Sequence, residues 1–258
     1  MSTSPTRATA PSRLSVQLYT VREALAEDLT GTLRRLADLG LEQVEPFAFT
    51  TFPGLAHGLV DAGLSAPTTH QHLVGEDEDS LDRVFAAAAD LGIGTVVEPH
   101  VPAERWGTEE DVAAVAADLV AAARVAQRSG VRVGYHNHAH ELESVLDGTP
   151  ALEVLARHLE GSDVVLEVDT YWVAVGGHDP VALLPRLGDR VVALHVKDGP
   201  ATTETKDQVA VGSGTLPVRA IVEAAPHALR VVELDDSRGD RFEAVAGSVR
   251  WLTEQGLA

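Results

Sequence analysis

Eight short β-rich runs, each closing on or beside a polar residue and each followed by a longer Ala/Leu-rich run, constrain this chain more than any other feature. The runs cover 14–18, 41–45, 64–70, 94–98, 131–136, 164–169, 191–196 and 229–233. The intervening segments show the helical period of 3.6, as over 23–39, where Leu25, Leu29, Leu33, Leu36 and Leu39 share one face, and over 109–129, which is almost continuous Ala and Val. Gly40, Gly63, Gly92, Gly130, Gly161 and Gly188 stand where these helices should stop before the next strand. Strands alternating with helices imply parallel strands joined by right-handed crossovers. The economical reading is an α/β chain forming a single (β/α)8 TIM barrel over 13–258, preceded by a small, polar, disordered leader over 1–12. An open doubly wound sheet would place a Gly-rich turn after its first strand to hold a dinucleotide. Here the first strand runs into QLYTVREAL, and no glycine follows until Gly31.

Charge and composition exclude several partners. With 20 Lys+Arg against 39 Asp+Glu the formal net charge is −19, which repels a phosphate backbone and disfavours an anionic membrane surface. There is no cysteine, so a bound metal must rest on oxygen and imidazole. No run reaches the roughly 18 apolar residues of a membrane span, and no apolar signal segment opens the chain. These features predict a cytoplasmic protein acting on a small molecule, and leave a homo-oligomer open.

In a barrel the active site forms at the C-terminal ends of the strands, so the residues closing the eight runs converge on one mouth. In order they are Gln17, Glu45, His70, Glu98 with His100, His136 with His138, Asp169, His195 with Lys197, and Glu233. Asp169 ends VVLEVD, a run that should be buried on both faces. A buried carboxylate without a partner costs several kcal/mol, so an acid there calls for a cation, a salt bridge or several hydrogen bonds. The same holds for His195 in VVALHVK and Glu233 in LRVVELDD. Two acids and an imidazole on successive strands suit a divalent ion. The densest cluster, VRVGYHNHAHE, offers His136, His138 or Glu141 as a further ligand. Alternation along a strand aims His136 and His138 the same way, with Glu141 in the loop beyond.

These residues resemble the sugar phosphate isomerase/epimerase family, the xylose-isomerase-like barrels that include inosose dehydratases and ketose 3-epimerases. The resemblance runs through SVQLYTVR at 15–22, GYHNHAHE at 134–141, EVDTYW at 167–172, LHVKDG at 194–199, GSG at 212–214 and VVELDD at 231–236. The Tyr-His-Asn-His run is most similar to the inosose dehydratase and keto-sugar lyase subgroup. The resemblance implies one divalent cation, manganese first, with magnesium, cobalt or zinc as alternatives. Asp169, His195 and Glu233 match three ligand positions. At the fourth, where epimerases end strand five with Glu, this chain has His136, and Glu141 is taken as the ligand. Trp172 stands where epimerases carry a substrate-contacting His.

The implied activity is a divalent-metal-dependent sugar isomerase or epimerase acting on a keto-sugar or related polyol through an enediolate. The alternative is an inosose-type dehydratase or lyase acting on a keto-cyclitol or 3-keto-glycoside. Both begin with loss of a proton next to a carbonyl. Glu233, His136, His138 and Lys197 are the expected acid, base and oxyanion-stabilising groups, and Gln17, Glu45, His70 and Trp172 the expected substrate contacts. Apart from Lys197 the strand ends carry no Lys or Arg, which favours a neutral keto-sugar or cyclitol. Gly212-Ser213-Gly214, ahead of a helix expected over 216–225, argues the other way, because such loops bind phosphate through backbone N–H groups.

Overall fold

The computed structural model describes residues 12–258. The leader expected over 1–12 therefore lies almost wholly outside the described residues. Seven parallel strands form one curved sheet in the order β1, β9, β8, β7, β4, β3, β2. They are β1 (Leu14–Val16), β2 (Thr68–His70), β3 (Thr95–Glu98), β4 (Arg132–His136), β7 (Val165–Asp169), β8 (Val191–Val196) and β9 (Leu229–Val232). The remaining two, β5 (Val145–Leu146) and β6 (Thr149–Pro150), make a small antiparallel hairpin outside it.

The eighth member of the ring is the segment 41–47, of which 41–45 was expected as a strand. It instead spans the gap between β1 and β2 through isolated parallel bridges, Gln17 to Glu45, Gln43 to Ser65 and Phe47 to His70. Its backbone is still engaged on both sides: Glu45 N donates to Val16 O at 2.8 Å and Val44 N to Ser65 O at 2.9 Å. Pro46 has no N–H to continue the ladder. Two residues later Ala48 takes a left-handed conformation, φ 40°. The run is therefore broken without being displaced, and the architecture is a TIM barrel.

The helix expected over 23–39 is two helices, Arg22–Glu27 and Leu29–Asp38. Asp28 divides them: its backbone is extended, φ −148° and ψ 89°, and its carboxylate caps Gly31 N. A side chain able to cap a new helix competes with continuing the old one. The long Ala/Val run forms a helix over Glu109–Ala126, capped by Thr108, and ends in a 3-10 turn over Gln127–Ser129. Gly130 follows it at φ 68°, the left-handed geometry that stops the helix. The helices cover the sheet with one continuous apolar core, including Leu33, Leu36, Phe85, Leu119, Leu155 and Leu184. No helix among the described residues is long and apolar enough to cross a membrane.

Candidate active site

Alternation places residues two apart on the same face of a strand. Four strands and the residues just beyond them bring pairs of this spacing to the C-terminal mouth: His136 and His138, Glu167 and Asp169, His195 and Lys197, and Glu233 and Asp235. Except for Asp235 and His138, which are partly exposed, these side chains are buried. β2 adds His70, and the segment 41–47 adds Glu45, which is fully buried.

The lower part of the cluster centres on Glu167. Its Oε2 lies 2.5 Å from His70 Nε2 and 3.1 Å from both His136 Nδ1 and His195 Nε2. Burial alone would push this carboxyl up, but the adjacent His195 and His70 imidazoles hold it well below the usual carboxylate range, helped by hydrogen bonds with His136 and His195. Glu45 sits behind, with Oε1 2.7 Å from His195 Nε2. Burial and the neighbouring Glu167 push its carboxyl up. Gln17 donates Nε2 to Glu45 Oε1 at 2.8 Å, and its own oxygen accepts from Tyr19 N. Gln17 therefore braces Glu45 and does not face the mouth.

The upper part centres on Lys197. Its Nζ lies 2.8 Å from Asp169 Oδ2, Glu233 Oε2 and Asp235 Oδ2. Burial would lower the Lys197 pKa, but Asp169, Asp235 and Glu233 keep it well above the ordinary value. The two carboxylates that matter most separate in acidity. Burial raises Asp169 to about 6 against the pull of Lys197, whereas Lys197 and His195 outweigh burial and hold Glu233 well below the usual range. Divergent carboxyl groups of this kind fit acid and base roles. Asp169 is fixed by its position, since its Oδ1 caps the following helix by accepting from Trp172 N at 2.9 Å. His195 joins the two parts, with Nδ1 2.5 Å from Glu233 Oε2 and Nε2 toward Glu45 and Glu167.

His138 is pushed down to about 2 by burial and by the neighbouring His136 and Lys197 charges, so it stands as a neutral imidazole. Its Nδ1 is buried without a hydrogen-bond partner. The Trp172 ring lies beside it, centroid to centroid 6.2 Å, with Lys197 Nζ 5.8 Å from the indole centroid. Glu141 stands apart. It lies in the short helix His140–Glu143, where Oε1 takes the Tyr135 hydroxyl at 2.5 Å and Oε2 accepts from His138 N at 2.8 Å. Burial raises it to about 7. Both oxygens are thus engaged in holding the histidine-rich turn.

Two residues without an expected role belong to the site. Glu167 precedes Asp169 by two positions, and strand alternation was the signal that could have found it. Asp235 follows Glu233 by the same interval. It is braced by Gln208, which donates to its Oδ2 at 2.7 Å and accepts from its backbone N–H at 2.7 Å. No sequence pattern marks Gln208.

The glycine loop is already satisfied from within. Asp198 Oδ2 accepts from Gly212 N at 2.9 Å and Gly214 N at 3.0 Å, and Oδ1 from Gly199 N at 2.8 Å and Leu216 N at 3.1 Å. An internal carboxylate fills the place a phosphate would take, and the helix beyond starts only at Val218. A cleft of about 400 Å³ opens over the cluster, with Tyr19, Phe47, His70, His136, His138 and Glu233 in its wall and no Lys or Arg among its lining residues. A larger depression, about 570 Å³, lies at the opposite end of β4 and β7 around Val131, Val164 and Asp189, remote from these groups.

The metal-ligating atoms fall into two groups: His70, His136, Glu167 and His195, and Asp169, His195 and Glu233. Within each, the atoms lie within 4.8 Å of one another. Glu167 Oε1 is buried with no hydrogen-bond partner, an unsatisfied carboxylate oxygen that a cation would satisfy. The donor set fits a divalent ion.

The chain matches a family model over residues 15–255 and belongs to the xylose isomerase-like TIM barrels. An inosose dehydratase of Geobacillus kaustophilus (strain HTA426) is 28% identical over 123 residues, 44% of this chain. That match spans only 39% of the relative's own length. A solved sugar phosphate isomerase/epimerase from Parabacteroides distasonis ATCC 8503 superimposes with a TM-score of 0.79 at 26% identity, covering 96% of each chain. The IOLI protein, solved with a bound zinc atom, shares the fold at 15% identity with a TM-score of 0.70, covering 95% of this chain and 98% of its own.

Proposed function

We propose that this chain is a divalent-metal-dependent sugar isomerase or epimerase that moves a proton at the carbon next to a carbonyl of a neutral keto-sugar or related polyol. The observation that carries this reading is the pair Asp169 and Glu233, two carboxylates at one barrel mouth held by a single ammonium, Lys197, at 2.8 Å from each. A divalent ion, when bound, supplies Lewis-acid polarisation of the substrate oxygens. His195, common to both ligand groups, would hold it together with Glu167, Asp169, Glu233 or the neighbouring histidines. Support for a bound ion comes from the unsatisfied Glu167 oxygen, and from the zinc in a protein of similar fold.

Glu233 stays ionised beside Lys197 and is the base that takes the proton. Asp169, whose carboxyl burial keeps near neutrality, is placed to return one. Lys197, whose three N–H groups face Asp169, Glu233 and Asp235, would release one of these contacts to donate to oxygen as negative charge develops on the enediolate. His138 offers a neutral imidazole to a substrate hydroxyl, and Trp172 an apolar face beside it. A neutral substrate is favoured over a phosphorylated one by the lack of Lys or Arg in the cleft wall and by the hold of Asp198 on the loop amides.

The similarity to an inosose dehydratase favours a second reading, loss of a β-hydroxyl from a keto-cyclitol or 3-keto-glycoside after the same proton abstraction. Incubation with manganese in D2O against a panel of ketoses, inososes and 3-keto-glycosides separates the two by NMR. Deuterium at the carbon next to the carbonyl, with the sugar retained, is the expected result. A dehydrated, ultraviolet-absorbing enone selects the second reading. Neither outcome with manganese, magnesium, cobalt or zinc overturns both.

A further inference from the structure

Lys197 touches three carboxylates, and they differ in what each would keep if the ammonium turned away. Lys197 is buried behind a cleft with no lysine in its wall, whereas Asp235 lines that wall and its side chain is 24% exposed. Asp235 Oδ2 accepts a hydrogen bond from Lys197 Nζ at 2.8 Å and a second from Gln208 Nε2 at 2.7 Å. Without Lys197 it would keep Gln208 and solvent. Asp169 Oδ2 is fully buried and, among the described residues, accepts no hydrogen bond, so departure of the ammonium would strip it of its only counter-charge at contact distance. A buried charge left without its partner is the costlier outcome. Glu233 would keep His195, but it too is buried and is the base of the proposed reaction.

Gln208 holds Asp235 still. Fully buried just beyond the 3-10 turn Thr205–Asp207, its amide closes two hydrogen bonds with one residue, accepting from Asp235 N at 2.7 Å while donating to the Asp235 carboxylate. Ser237 Oγ donates to the Gln208 carbonyl at 2.9 Å, and Arg22 Nη1 to the Asp235 carbonyl at 3.0 Å. The loop after β8 is thereby clasped to the loop after β9.

We propose that Gln208, acting through Asp235, is a positioning residue: it keeps the Lys197 ammonium at the edge of the cleft, and Asp235 is the contact that Lys197 gives up to a substrate oxygen. This rests on the proton-transfer reading above and deepens it. Without an acceptor at Asp235 the ammonium has only the better-buried Asp169 and Glu233 to settle on. A neutral oxygen in the same place would still aim the ammonium and would release it more readily, since hydrogen bonds between two charged groups are the stronger kind.

The chain has only two lysines, Lys197 and the exposed Lys206, so protein labelled with 15N-lysine gives two ammonium signals, and Lys206 serves as the reference. Slow proton exchange at Lys197 is expected in the wild type; exchange as fast as at Lys206 overturns the proposal. Gln208→Met and Asp235→Ala should each speed exchange at Lys197 by roughly 10–100-fold, the range that a hydrogen bond to a charged group supports. Both should slow deuterium uptake by the substrate in D2O by a similar factor with KM little changed, because the lost interaction is made with the developing charge. Asp235→Asn keeps an acceptor oxygen and should retain most of the kcat that Asp235→Ala loses. Arg238→Ala removes a surface ion pair with Asp207 in the same clasp and should leave both readings unchanged. Should Gln208→Met fail to fold, Asp235→Ala, at a partly exposed position, carries the comparison. An unmoved Lys197 signal, an equal change in Arg238→Ala, or Asp235→Asn as slow as Asp235→Ala overturns the proposal. A wild type that transfers no substrate proton overturns the functional reading beneath it, whereas the ammonium spectra decide separately whether Gln208 and Asp235 hold Lys197.

Discussion

The Lys197 ammonium is buried 2.8 Å from Asp169 Oδ2, at a barrel mouth where acidic side chains outnumber it. Removing one partner of a buried ion pair costs about 3–5 kcal/mol, because the remaining charge is left uncompensated. Lys197→Met is therefore expected to lower the unfolding free energy by about that amount and to abolish turnover. Arginine should not restore activity, since its planar fork cannot replace a point ammonium among Asp169, Glu233 and Asp235. Urea unfolding of both variants checks the first expectation; an unchanged midpoint in Lys197→Met counts against the buried network.

Metal binding should be visible as stability. An ion that binds only the folded state adds about 2.7 kcal/mol at a free concentration 100 times its dissociation constant. For a chain of this length that corresponds to a rise in Tm of about 5–10 °C, reversed by chelator. Differential scanning fluorimetry with zinc, cobalt, manganese and magnesium measures it, and the absence of any shift across all four contradicts a metal site.

Glu141 gives the pH dependence a definite sign. Its carboxyl titrates near 4.5 in the unfolded chain and is raised to about 7 by burial in the folded one. The folded state holds the proton more tightly, so the stability present below about pH 4.5 is lost as pH rises toward 7. At 1.36 kcal/mol per unit the loss is on the order of 3 kcal/mol. Glu141→Gln can still accept from His138 N and pair with the Tyr135 oxygen, but does not titrate. Wild type should lose stability relative to Glu141→Gln between pH 4.5 and 7, and parallel denaturation curves through that window would show that burial does not raise this carboxyl.

Asp198 holds the loop after β8 through four backbone N–H groups. Asp198→Asn removes the charge and some of the acceptors, with an expected cost of about 2–3 kcal/mol and faster amide exchange over 199–216. Gly214→Ala should do similar damage, because a Cβ there would lie 2.1 Å from Asp198 Oδ1. Hydrogen exchange followed by mass spectrometry reads both, and protection unchanged in Asp198→Asn would refute this role.

Much of the architecture follows from local pattern. The run 191–196 coincides with β8, and the other strands begin or end within a few residues of their sequence boundaries. The exception, 41–45, is reduced to isolated bridges, yet barrel closure keeps it in place. The site is less legible. Glu167 was visible within EVDTYW, but nothing in a single strand shows that its carboxylate meets imidazoles from three others. Glu141 illustrates the converse: its place beside His138 in sequence suggested a ligand, and one helical turn instead ties it to Tyr135.

Residue order alone determined the parallel barrel, the polar character of its mouth and the restriction of any metal to oxygen and imidazole donors, because strand period, turn chemistry and side-chain chemistry are local properties. Tertiary structure decided which groups meet. His195 and Glu45, 150 positions apart, touch because the ring closes across the segment 41–47. Asp198 gathers the glycine loop because its own buried carboxylate must find donors. Lys197 gathers Asp169, Glu233 and Asp235 around one ammonium, since charge compensation depends on distances that only the closed barrel sets.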